Sequence, residues 1–364
     1  MITTKHYIPI VKTKDAELRG MCSLSPETKG DIVPLFELTR SRISKNNPEG
    51  SVRKRLLQIA EDYGVTPLGL DLTSFTDLQN REILDFYDPI NGFRKWTDFI
   101  AAQKSIFQRL YPALLISDSN IDTKEEYRER HRPEIATLLE LCEQLVYRVP
   151  GDYEALEFDL DNLFDKTRPP IVLLDMEFIP KEKGKIYAEV ALKSLRMIFQ
   201  QRYGIKTVIL AGSSYPKDPA ENGGDSRGEN KLEEIVMFNH CRKEFPLLVY
   251  GDYATIYPLP NLRAGSHGWV PRIDFPTETS IVYYRERKKI GEKSYKEAYI
   301  RVAKKVVEDK QFRLLQDKIG NQNWGIRQIM EAANGYPPSM APAFWISVRI
   351  NLHVTLRRLI LKNG

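Results

Sequence analysis

Cysteine is scarce in this chain: Cys22, Cys142 and Cys241 are the only three in 364 residues. Odd in number, far apart and outside any CxxC or CxxH pattern, they argue against a disulfide framework and a structural zinc site and read as buried thiols. Histidine is scarce too. His6, His131, His240, His267 and His353 show neither HxH nor HExxH spacing, so zinc hydrolase chemistry lacks its usual ligands. No G-x-G-x-x-G turn follows the first strand-like run, and no G-x-x-x-x-G-K-[ST] loop occurs. The phosphate fingerprints of the nucleotide-binding folds are therefore missing. So is the G-x-S-x-G elbow of serine hydrolases. No apolar run approaches the roughly 20 residues of a spanning helix. The opening MITTKHYIPIVKTK holds no signal-like apolar stretch, and a cytoplasmic protein is expected.

What is present is ordinary globular material, 42% hydrophobic and 28% charged, enough for one large α/β domain with an appendage. Its charge is unevenly spread. The net charge is +5, yet residues 261–364 hold 19 Lys and Arg against 9 Asp and Glu, while residues 1–260 hold 35 against 40. A basic appendage beside a slightly acidic body suits a protein that holds a polyanion while a separate carboxylate site works on it. Runs such as Arg285-Glu286-Arg287-Lys288-Lys289 also fit a merely solvated surface.

Short apolar, β-branched runs recur along the chain: Tyr7–Val11, Ile32–Leu38, Pro67–Leu72, Tyr111–Ser117, Leu145–Val149, Ile171–Phe178, Thr207–Ala211 and Leu247–Tyr253. Between them lie helical patterns with 3.6-residue spacing, such as Val52, Leu56, Ile59 and Ala191, Leu195, Ile198. Eight continuous-hydrophobic strands alternating with helices predict an α/β fold, a TIM-like (β/α)8 barrel, with an open doubly wound sheet as the alternative. The barrel is expected over residues 1–260, with a basic loop and helical C-terminal extension over 261–364. Pro258, Pro260, Pro271, Pro276, Gly265 and Gly268 predict an irregular loop over 254–281, and polar, Gly-rich Lys217–Asn230 reads either as a mobile active-site loop or as a long surface connection. Three helices are expected at Tyr295–Lys318, Trp324–Asn334 and Ala343–Leu361.

In such a barrel the active-site residues stand at the carboxyl ends of the strands. Lys12, Lys14 and Glu17 follow the first run, Glu37 and Arg40 close the second, and Asp71 stands in the third. Ser117 and Asp118 end the fourth, Arg148 lies in the fifth, Asp175 and Glu177 in the sixth, and Asp252 and Tyr253 in the eighth. Carboxylates set among Leu and Val are costly unless paired, so such a cluster is either neutralised by Lys12, Arg40 and Arg148 or put to use. Two chemistries use one. In the first, a carboxylate stabilises an oxocarbenium-like sugar and orients water while a glycosidic bond breaks, with no cofactor. In the second, three or four carboxylates hold Mg²⁺ or Mn²⁺ for phosphodiester hydrolysis. His267, Trp269, Arg272 and Phe275, with Tyr253 and Tyr257 before them, mix rings and guanidinium as stacking on a splayed base requires, though the rings equally suit packing of the loop. Trp345, Arg349 and His353 share one face of the last helix, a face that reads as packed against the barrel.

The segment Tyr7-Ile8-Pro9-Ile10-Val11-Lys12-Thr13-Lys14 with Glu17, then Val33-Pro34-Leu35-Phe36-Glu37, Gly251-Asp252-Tyr253 and the terminal Trp345, Arg349 and His353, resembles the "beta protein" family, known from a phage T4 protein. The likeness spans nearly the whole chain. It implies a TIM-like barrel with a C-terminal extension, in proteins linked with phage defence. Some proteins similar to this plan are DNA glycosylases that remove a glucosylated or otherwise modified cytosine from phage DNA and leave an abasic site. The resemblance singles out Lys12, Glu37 and Asp252; Asp71 and Asp175 rest on the strand-end argument. The resulting expectation is a DNA glycosylase acting on phage DNA with modified bases. Asp252 or Asp175 would stabilise the sugar cation, Glu37 and Asp71 would complete the carboxylates, and Lys12, Arg40, Arg148, Glu177, Tyr253, Trp269 and Arg272 would hold substrate. A metal-dependent nuclease and a non-catalytic sensor of phage DNA or protein are the alternatives.

Overall fold

A computed structural model describes residues 2–64, 66–107, 109–116, 123–218, 226–260 and 269–363. The eight hydrophobic runs form eight parallel strands: β1 Tyr7–Lys12, β2 Leu35–Leu38, β3 Leu68–Leu72, β4 Leu110–Pro112, β5 Val146–Pro150, β6 Ile171–Phe178, β7 Val208–Ser213 and, after an intervening strand β8 Arg227–Lys231, β9 Val249–Asp252. Their order is β4-β3-β2-β1-β9-β7-β6-β5. A parallel bridge between Ala113 and Val146, with the Leu114 N–H donating to the Val146 carbonyl at 2.8 Å, joins the two outermost strands and closes the ring. The fold is a TIM-like barrel.

Side chains alternate along each strand, so each contributes one set to the inside of the ring and one to the outer helices. Ile8, Ile10, Leu35, Tyr111, Val146, Ile171, Leu173, Ile209, Ala211 and Val249 pack together inside. Tyr7, Val11, Phe36, Leu70, Val172, Leu174 and Leu210 join the larger core under the surrounding helices. Because both faces are buried, the strands read as unbroken apolar runs.

The C-terminal part has its own core. Strands β10 Arg272–Pro276 and β11 Ser280–Arg285 form an antiparallel pair, and β8, from the connection after β7, adds to the free edge of β11. Helices Lys296–Glu308, Lys310–Ile319 and Trp324–Ala333 cover this sheet through Ile273, Phe275, Val282, Val302, Phe312 and Ile329. The terminal helix Pro342–Asn363 is shared: Ile350 and Val354 enter the barrel-side core, and Trp345, Val348, Leu352 and Leu356 enter the extension core. Gly20 permits this close fit, since a Cβ there would stand 2.9 Å from Ile350 and from the Ser347 carbonyl.

Three local expectations change. The proline-rich stretch is not loop throughout, because residues 272–276 pair as β10; His267 lies outside the described residues. The polar connection after β7 contributes β8, whose Gly228 lies against the Tyr283 ring. The helix expected over Tyr295–Lys318 breaks at Asp309, whose extended backbone and side chain cap the next helix by accepting from the Gln311 N–H. Ser117 and Asp118 also lie outside the described residues.

Candidate active site at the barrel mouth

The inward positions nearest the carboxyl ends of the strands are polar, and one guanidinium organises them. Arg148 of β5 donates from Nη1 to Asp71 of β3 at 2.7 Å and to Glu37 of β2 at 3.3 Å. Its Nε donates to Asp175 of β6 at 2.9 Å, and Nη2 donates to the Tyr253 hydroxyl at 2.8 Å. Tyr253 in turn donates to Asp175 at 2.5 Å. On the other side of Glu37 stands Lys12 of β1, its Nζ 3.5 Å from Oε1 and 4.4 Å from the centre of the Phe75 ring. Register explains the meeting: Lys12 is paired with Glu37, and Glu37 with Asp71, on three adjacent strands.

The surroundings shift the carboxyls in different directions. Burial alone would raise Glu37, but Lys12 and then Arg148 outweigh it and hold its carboxyl below the usual glutamate range. Asp71 goes the other way. Burial raises it, the Glu37 charge adds to the rise, and Arg148 offsets only part. Glu177, displaced by a bulge after Asp175 and held at φ 49°, reaches the rim, where partial burial and the Asp175 charge raise it. Glu17 lies behind the cluster and accepts the Lys12 N–H at 2.5 Å; burial raises its carboxyl to about 7 against the pull of Lys12 and Lys14. Tyr253 and Arg148 are both pushed well above their ordinary values, so the phenol stays protonated and the guanidinium charged.

Above this network opens a cavity of about 600 Å³ walled by Phe75, Tyr87, Leu114, Ile116, Tyr153 and Pro258, with Glu37, Asp71, Arg148, Asp175, Glu177 and Tyr253 at its base and rim. Ring faces around a carboxylate floor suit a ring-shaped, hydroxyl-bearing ligand. The loops that follow β3 and β5 supply Phe75 and Tyr153, which the strand-end argument overlooked; aromatic residues just past a strand are the sign that points to them. A divalent metal does not fit the floor. One oxygen of each carboxylate accepts from Arg148 and the others face Lys12, the Leu72 N–H and the Glu177 N–H, and among the described residues no group of three His, Cys, Asp or Glu side chains is arranged to hold an ion.

The structure thus brings together Lys12, Glu37, Asp71, Arg148, Asp175, Glu177 and Tyr253. It does not bring Asp252 with them. Asp252 occupies the outward parity of β9, between the inward Gly251 and Tyr253, and there accepts from the Tyr7 and Tyr250 hydroxyls, the Ala254 N–H and, at 2.8 Å, His353 of the terminal helix. The expected role of Asp252 at the sugar is corrected accordingly: it ties the terminal helix to the barrel wall. Arg40 is also elsewhere, donating to the Asp77 carbonyl at 2.9 Å. Trp269 and Arg272 line a second cavity in the extension.

Fold and site together define an eight-stranded α/β barrel with an arginine-centred carboxylate mouth and a helical extension locked to its wall. A sequence profile of the Beta protein family matches residues 7–357, and the chain belongs to that family. A relative, "Protein beta" of Enterobacteria phage P4, is 26% identical over 356 residues, covering 96% of this chain and 91% of its own. The phage of this relative is P4 rather than the T4 expected above. Among solved structures, a hyperthermophilic endo-β-1,4-glucanase superposes with a TM-score of 0.41 at 11% identity, covering 66% of this chain and 81% of its own. The tryptophan synthase α-subunit of Pyrococcus furiosus gives 0.38 at 12% identity, covering 70% and 90%. Among the described residues no helix is long and apolar enough to cross a membrane.

Proposed function

We propose that the chain is a hydrolase of glycosidic bonds, and specifically a DNA glycosylase that releases a modified cytosine, such as a glucosylated one, from phage DNA. One observation carries this reading: Glu37 and Asp71 receive the same Arg148 nitrogen, yet their surroundings push the first carboxyl down and the second up. Glycosidic cleavage uses a pair of carboxyls whose surroundings push them in opposite directions, one as proton donor and one as anion. Asp71 is the donor to the leaving base. Glu37, kept ionised by Lys12 and Arg148, faces the positive charge that develops on the sugar and orients the attacking water. Asp175 and Tyr253 hold the guanidinium in place. The phage source of the relative agrees with a substrate met in phage DNA.

Purified protein incubated with ordinary and with glucosylated phage DNA, followed by alkali, tests the proposal. Alkali-labile breaks confined to the glucosylated DNA, formed equally in EDTA, are expected. Direct strand cleavage that requires Mg²⁺ or Mn²⁺ would replace this reading by a nuclease, and intact DNA of both kinds would leave the chain a sensor.

A further inference from the structure

We propose that the extension carries a second binding site, separate from the barrel mouth, for a mononucleotide unit: a planar base joined to a phosphate. The site is a cavity of about 240 Å³ framed by Trp269, Arg272, Arg285, Tyr299 and Trp345. A cavity of that size admits one base with its phosphate at the opening and not a duplex.

Its aromatic walls are braced. Trp269 stacks on Tyr295 with ring centres 4.4 Å apart, and Tyr299 stacks on Trp345 at 5.1 Å. Trp345 is fixed further by donating from its indole to the Ser339 carbonyl at 3.0 Å. Trp269 nevertheless keeps 41% of its surface exposed, a large apolar plane held rigid and left open. Such a plane is what a base stacks on, because every base offers a π-face.

The charges complete the argument. Arg272 is committed: its Nε meets Asp274 at 2.9 Å and its Nη2 donates to Tyr215 at 3.3 Å. Asp274 is committed as well, its other oxygen meeting Arg349 at 2.5 Å. Arg285, at the end of β11 and half-buried, lines the same cavity without an ion-pair partner among the described residues. Arg272 and Arg285 line the cavity with Asp218 and Asp274, and Arg349 reaches Asp274 from behind it, so the second oxygen of Asp274 is neutralised without drawing on Arg285. Lys288 adds to the field from 5.6 Å above the Tyr295 ring. A guanidinium without an ion-pair partner among the described residues, next to an open indole, pairs a bidentate phosphate ligand with a stacking platform. The source of the unit is either a free nucleotide or a residue of a single strand, and the chemistry is common to both.

Calorimetric titration of the whole protein with dCMP, cytidine, inorganic phosphate and a short single-stranded oligodeoxynucleotide tests the site. Saturable binding of dCMP is expected, at least tenfold tighter than cytidine or phosphate alone. Arg285→Gln is expected to weaken dCMP at least tenfold, Arg285→Lys less, and Trp269→Ala more than Trp269→Phe. Trp269 is exposed and Arg285 half-buried, and circular dichroism of each variant checks folding. Oligonucleotide bound more tightly than dCMP assigns the site to a strand, and the reverse to a free nucleotide. Absence of dCMP binding, phosphate bound as well as dCMP, or binding indifferent to both substitutions would overturn the proposal. The readout is binding, so it fails or succeeds separately from base release at the mouth.

Discussion

Arg148 is the residue on which the mouth depends. Removing it leaves Glu37, Asp71 and Asp175 buried without their common partner, and a buried charge that loses its partner costs about 3–5 kcal/mol. Arg148→Gln is therefore expected to lower stability by about that much in urea titrations, and Glu37→Gln, which leaves buried Lys12 without its carboxylate, is expected to cost less than Arg148→Gln and still abolish base release. A second residue-scale prediction concerns pH. Glu17 and Glu234 are each raised to about 7 by burial, with Asp252 adding to Glu234. The folded state therefore keeps protons that the unfolded chain has lost. Their stabilising contribution is complete below the ordinary glutamate value and disappears as pH climbs to about 7. Urea midpoints are expected to fall between pH 5 and pH 7, and Glu17→Gln, whose amide oxygen still accepts the Lys12 N–H, is expected to flatten part of that slope.

At the scale of elements, the terminal helix acts as a pillar shared by two cores, and its contacts with the barrel are close. Gly20→Val forces a side chain into the space held by Ile350 and the Ser347 carbonyl, an overpacking expected to cost about 1–3 kcal/mol in denaturant unfolding. Asp252→Ala removes the acceptor of Tyr7, Tyr250 and His353, all buried, and is expected to destabilise by a similar or larger amount without altering the pH profile of base release. An altered profile would return Asp252 to the mouth. This residue also shows where reading the sequence stops. The barrel was legible because parallel strands buried on both faces leave unbroken apolar runs, and Glu37, Asp71, Arg148 and Asp175 stood out as charges inside them. The same absence of alternation hides which way a charge points. Asp252 and Tyr253 are neighbours, and only the ring's geometry decides that the phenol enters the mouth and the carboxylate leaves it. Strand β8, RGENK, was illegible for another reason: it is polar and has β-character only because β11 offers it an edge.

For the whole molecule, the two cores meet along the Pro342–Asn363 helix, and Arg349 bonds Thr255 of the β9 loop at 3.0 Å while Arg358 reaches Asp31 at 2.7 Å. Barrel and extension are accordingly expected to unfold in one transition, with fluorescence of the extension tryptophans and far-UV dichroism giving the same urea midpoint. The proposed division of labour follows the same layout: carboxyl chemistry inside the ring, and an arginine-lined, aromatic cavity in the extension beside it. The central claim is that Asp71 gives a proton while Glu37 faces the sugar. Mass spectrometry of the base released from glucosylated DNA by wild type, Asp71→Asn and Glu37→Gln tests it most directly. Free modified base from wild type, reduced at least a hundredfold in both variants, is the predicted result. Release that persists in either variant, or cleaved phosphodiester in its place, would contradict the account.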